Sequence, residues 1–154
     1  MGRLLSGDCA KASKEIMGKT LESLLRKLDR KVVVDWVEEM RHGKVAYDHL
    51  LARVRDGGLS RNQTANALHA LFRLRTHGSD QEVFDLCRTH AGHSERRVRS
   101  EAIKLLIGMV KLHDLRPPFQ PRACIGEINA GLTRGLDHDV ADLARDFVTQ
   151  HRGA

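Results

Sequence analysis

Cys87, His90 and His93 are the residues whose types and spacing come nearest to a chemical site. Three-residue steps place a thiolate and two imidazoles on neighbouring faces of one helical turn, a donor set that suits zinc. Gly92 falls between the two histidines as a helix stop, and no fourth ligand lies near in sequence. The expectation is therefore a core cysteine with two surface histidines and no bound metal. The sequence has no HExxH pair, Walker A loop, GxGxxG or nucleophile elbow, and Gly57-Gly58 reads as a helix stop and not as a phosphate loop. No catalytic residue and no cofactor are expected.

Three polar stripes at helical spacing offer recognition in place of catalysis. Asn62, Asn66, His69 and Arg73 form the first, and Arg97, Glu101, Lys104 and Lys111 the second. Asp139, Asp142, Asp146 and Gln150 form the third. Every amphipathic helix has a solvated stripe, so the stripes matter only if the helices that carry them are arranged side by side.

The elements that would position them are helices. Apolar residues recur at helical spacing along the chain, and strand-like alternation is absent. Eight helices are predicted. The first two cover about 9–28 and 30–42, the second with a Val33, Trp36, Val37 and Met40 stripe. A third, about 44–56, stops at Gly57-Gly58, and a fourth follows Ser60 as N-cap and runs to about Thr76. A fifth follows Ser79, which is placed to form a capping box with Glu82, and ends near Gly92. The sixth follows Ser94 and runs to about His113, with Val98, Ala102, Leu105, Leu106 and Met109 in register. The segment 116–121, with three prolines, must break the helical run. The seventh covers about 121–136, and the eighth follows Asp137 with Val140, Leu143, Ala144, Phe147 and Val148 on its apolar side. Connections this short make consecutive helices antiparallel neighbours.

The even-numbered helices repeat. Gln63 with Ala67, Val98 with Ala102, and Val140 with Ala144 align at offsets of 35 and 42 residues, the longer one containing the proline segment. Residues 94–106, with Val98, Arg99 and Ala102, resemble the second helix of a HEAT repeat, and residues 136–144 are similar to the same position in a further repeat, with Ala141 where that family prefers Arg. Leu59 to Leu71 is a weaker copy without the Val-Arg pair. The resemblance covers about 44–150. It implies an all-α, right-handed α-solenoid, with a closed helical bundle as the alternative. One domain, 1–154, would then hold capping helices in 1–43 and hairpins at 44–78, 79–116 and 121–150. Hairpins that cannot bury their apolar faces alone do so by stacking.

The resemblance also implies that the second helices line a concave face. The expected partner-binding residues are then Asn62, Asn66, His69, Arg73, Arg97, Glu101, Lys104 and Lys111, with columns Asn62/Arg97/Asp139 and His69/Lys104/Asp146 across the stack. Charge reversal of Arg97 and Lys104 together is expected to weaken binding without unfolding the chain. Such a face runs from neutral through basic to acidic, which suits a protein partner, whereas a duplex groove should be consistently basic. The six aromatic residues are too few to offer stacking platforms for single strands.

Charge carries the alternative. Residues 1–77 hold 15 Lys/Arg against 9 Asp/Glu, whereas 78–154 hold 11 of each, so the net +6 lies in the first half. That bias favours an acidic partner, a nucleic acid or an anionic membrane surface. HEAT-like DNA glycosylases use an acid and aromatics near extruded bases, and Asp35 beside Trp36 is the one pair of that kind; Trp36 falls on the apolar stripe of its helix, so packing is the expected role. Three separated cysteines form no disulfide pattern and point to a reducing, cytoplasmic setting. No apolar run approaches the ~20 residues that span a bilayer. Met1 to Ser6 fits the loose myristoylation pattern, though one acyl chain alone anchors weakly.

Overall fold

A computed structural model describes residues 43–152. The two predicted helices before residue 43, the Asp35-Trp36 pair and Met1 to Ser6 lie outside the described residues. Within them the chain is all-helical, 76% helix and no strand, which removes any sheet-based architecture for this part. The α-helices are α1 (Gly43–Asp56), α2 (Arg61–Arg73), α3 (Asp80–His90), α4 (Arg96–Leu112), α5 (Ile125–Arg134) and α6 (His138–Gln150). Short 3-10 turns, Arg75–His77 and Pro121–Ala123, replace the last turn expected of α2 and the first turn expected of α5.

Local chemistry sets the boundaries. Gly57 and Gly58 take φ of 78° and 81°, left-handed backbone that stops α1 at little cost for glycine. Ser60 forms a full capping box: its Oγ accepts from the Gln63 amide at 3.1 Å, and its own amide donates to Gln63 Oε1 at 3.0 Å. At α3 only half of the expected box forms. Ser79 Oγ accepts from the Glu82 amide, but Glu82 Oε1 instead accepts from the Tyr47 hydroxyl at 3.0 Å. Glu82 thereby joins α3 to α1, and Tyr47 is fully buried with its hydroxyl pKa pushed up to about 12 by burial.

The helices pair as α1–α2, α3–α4 and α5–α6, and the second members pack consecutively, α2 on α4 and α4 on α6. α4 is the central element, touching α2, α3, α5 and α6. Eleven of its seventeen residues are buried, among them Arg99, Ser100 and Glu101, so little of its circumference remains for solvent. The proline segment folds back instead of merely breaking the chain. Phe119 is buried edge-on against Phe84 at 5.2 Å and stacks on His113 at 3.9 Å, which closes the end of α4.

α5 lies close against α4. A Cβ at Gly131 would stand 2.3 Å from Ile103 Cδ1, in the fully buried core. Helix propensity favours Gly131→Ala by roughly 1 kcal/mol, while overpacking costs about 1–3 kcal/mol. The expected result is a net loss of about 1 kcal/mol in urea unfolding. Ile103→Val in the same chain removes the offending Cδ1 and should recover part of that loss; a double variant no better than the sum of the singles would contradict the close approach.

Candidate functional site

The stripe residues come together, but as a seam with a rim. α2 and α4 pack so that Asn66 and Glu101, each only 3% exposed, lie between them. Glu101 Oε1 is 3.2 Å from His69 Nδ1, and its Oε2 is 3.3 Å from Arg97 Nη1 and 3.0 Å from Lys104 Nζ. Arg97 Nη2 also donates to Asn66 Oδ1 at 3.2 Å. Burial alone would raise the Glu101 pKa; hydrogen bonds from His69 and Lys104 and their charge outweigh it and hold it at about 2. Glu101 is thus a buried, ionised anchor with Arg97 and Lys104 as its counter-charges and the His69 ring against its other oxygen.

Two expectations are corrected here. Asn66 and Glu101 do not face a partner, because the neighbouring second helix covers them. Arg97 and Lys104 are rim residues, but each also compensates Glu101. Reversing their charges together would therefore strip the anchor as well as alter the surface, and is expected to cost stability as well as binding. The repeat alignment carried the signal: offsets of 35 and 42 place Asn66 and Glu101 in the column of Leu143, an apolar stripe residue. His69 is half-buried beside Glu101, and Asn62 is half-buried near the start of α2. Arg73, Lys104 and Lys111 are exposed, as are Asp139, Asp142 and Asp146 on α6. The exposed positions run from Arg73 on α2 through Lys104 and Lys111 on α4 to Asp139, Asp142 and Asp146 on α6.

Arg99 has a role that its place in the Val-Arg pair alone did not reveal. It is 6% exposed. Nη1 donates to the carbonyls of His93 and Ser94 at 3.0 and 2.9 Å, and Nε and Nη2 donate to the Gly135 carbonyl at 3.2 and 2.9 Å. Beside it Ser100 Oγ accepts from the Asp137 amide at 2.8 Å. One planar guanidinium thus ties the start of α4 to the turn between α5 and α6. Arg134 to the Gly92 carbonyl and Arg88 to Glu127 reinforce the same junction.

The cysteine–histidine cluster separates. Cys87 is fully buried and its thiol is pushed up by burial, away from the reactive thiolate. His90 Nδ1 lies 2.9 Å from the Leu86 carbonyl, and His93 stacks on His90 with its pKa lowered, chiefly by burial. Cys124, also buried, is pushed up to about 12. Among the described residues no group of three or more His, Cys, Asp and Glu side chains is placed to share a metal ion. No described helix is long and apolar enough to cross a membrane. Comparison of the chain with protein-family models, with curated proteins and with solved structures found no match.

Proposed function

We propose that this chain is a non-enzymatic protein-interaction module, a small right-handed HEAT-like α-solenoid that acts as an adaptor or assembly subunit in the cytoplasm. The observation that carries the reading is the compensated seam between α2 and α4. Glu101 holds Arg97 and Lys104 in fixed positions along a rim that continues through Arg73 and Lys111. Preorganised cations reduce the ordering cost of association. Consecutive packing of the second helices supports the solenoid reading. The opposite charge on α6 supports a protein partner, since a phosphate backbone would be repelled by Asp139, Asp142 and Asp146.

The test uses residues outside the Glu101 cluster. The full chain and its Arg73→Glu/Lys111→Glu variant are used to capture partners, and the affinity of each identified partner is then measured with purified components. Binding at least about tenfold weaker for the variant, measured where both proteins are fully folded, is the expected result. Equal affinity would remove the rim from the interface. The basic excess of residues 1–77 favours a second reading, nucleic-acid binding. It requires retention on DNA or RNA that falls steeply as salt rises; no retention at low salt would end it.

A further inference from the structure

Two large apolar side chains are exposed among the described residues, Leu112 at 51% and Leu115 at 44%, and both lie at the C-terminal end of α4. α4 stops there in left-handed backbone. The Asp114 amide donates to the Lys111 carbonyl and the Leu115 amide to the Val110 carbonyl, each at 3.1 Å. φ is 50° at Asp114 and 61° at Leu115. Glycine is the usual occupant of such a stop, and a bulky side chain is disfavoured in that backbone. An apolar residue just past such a stop commonly folds back on its helix. Leu115 instead stays in contact with water and forms one wall of a cleft of ≈260 Å³, with Gln120, Pro121 and Arg122. The segment that carries the cleft is pinned at Phe119, which is buried against Phe84 and whose amide donates to the Arg116 carbonyl at 2.8 Å.

The charge around the cleft is one-sided. Lys111, Arg116 and Arg122 are exposed there against one carboxylate, Asp114. Arg116 reaches Asp114 only at 4.0 Å. Among the described residues, Lys111 and Arg122 have neither an ion-pair nor a side-chain hydrogen-bond partner. An apolar wall beside uncommitted cations fits an apolar side chain that arrives with carboxylates next to it. At ≈260 Å³ the cleft is smaller than the ~300–1,000 Å³ of small-molecule sites and suits a single side chain. A bilayer would meet the same leucines and cations, but it offers no side chain to fill the concavity. Lys111, the last cation of the proposed rim, directly precedes Leu112, so the cleft continues that rim. We propose that this cleft seats one leucine-sized side chain of an acidic segment on the partner protein, an inference that rests on the protein-binding reading above.

The probe is the end-capped peptide Glu-Glu-Leu-Glu-Glu, titrated into the isotopically labelled full chain and followed through the backbone amide signals of Leu115 and Arg122. Saturable shifts are expected. Serine in place of the peptide's leucine should weaken them at least about tenfold, since burying a leucine is worth that factor or more. A Lys-Lys-Leu-Lys-Lys peptide should produce no shift. Arg122→Gln should weaken binding about threefold, as for a solvent-exposed ion pair. Leu115→Gly separates binding from folding. Glycine accepts a φ of 61° without strain, so the amide signals of the helices should hold their positions while binding falls at least about tenfold. Absent shifts, equal binding of the serine peptide, or undiminished binding by Leu115→Gly would overturn the proposal. Retention on phosphatidylserine vesicles without peptide binding would overturn it in favour of a membrane surface. Concentration-dependent shifts of the same signals in the chain alone, again without peptide binding, would overturn it in favour of a second copy. If the cleft fails while Arg73→Glu/Lys111→Glu still weakens an identified partner, the apolar seat is wrong and the wider reading stands.

Discussion

Replacing Glu101 by alanine is expected to destabilise the chain by about 3 kcal/mol. Removing the carboxylate leaves Arg97 and Lys104 at a helix–helix seam with no counter-charge and His69 without its partner oxygen, and leaving charged partners uncompensated costs about 3–5 kcal/mol at fully buried sites. Lys104 and Arg97 keep 45% and 34% of their side-chain surface in water, which places the value at the lower end of that range. The same group predicts an acid dependence. Its folded-state pKa, about 2, lies below the ordinary carboxylate value, so its contribution is fully present above about pH 4.5. It is then lost as pH falls toward 2. Denaturant unfolding from pH 6 to 2 should therefore show a loss of about 2–3 kcal/mol in the wild type that is largely missing from Glu101→Gln. Equal acid slopes in the two proteins would place the ionised anchor elsewhere.

Arg99→Ala is expected to cost a similar amount, about 3 kcal/mol, by a different route. Three backbone carbonyls lose charge-assisted donors at once, and a buried space opens beside the turn at Gly135. Arg99→Lys should rescue little, because a single ammonium cannot span carbonyls on both sides as the guanidinium fork does. The loss should be directional. Hydrogen exchange ought to speed up in α5 and α6 before it does in α2 and α3, since Arg99 binds the third hairpin to the second. A uniform acceleration across α1 to α6, or full rescue by lysine, would show that the guanidinium is not the tie.

What was legible in the sequence followed local rules. Ser60, Gly57-Gly58 and the prolines of 116–121 mark boundaries that backbone chemistry alone enforces, and the helices after residue 43 fall where periodicity places them. Partner choice for polar groups was less legible. Glu82 is spaced for a capping box, but a buried Tyr47 hydroxyl competes for it and wins. Asp137 and Glu95 stand at cap positions and are drawn instead to arginines on neighbouring helices. Phe119, in a segment read only as a break, inserts against Phe84 because an apolar ring next to an open core end is stabilised by burial whatever its backbone does.

Helical spacing marks which polar positions reach the outside but not how deep each one sits. Arg73, Lys104 and Lys111 lie on the outside, where helical spacing put them. Asn66 and Glu101 share that spacing but sit where two helices meet, and a single-helix pattern carries no information about the neighbour. Only alignment with Leu143 in the third hairpin distinguishes that register. Arg99 shows the converse. A charged residue read as part of a sequence motif is buried because its donors find carbonyls from two hairpins, a requirement set by the fold around it.

The proposed reading has a partner dock on the second-helix rim and leave the first-helix side free. A photo-crosslinking residue at Lys111, on the exposed side of α4, is compared with one at Asn129, on the exposed side of α5. Adducts to an identified partner should form from position 111 and not from position 129. Adducts from 129 with none from 111 would contradict the claim.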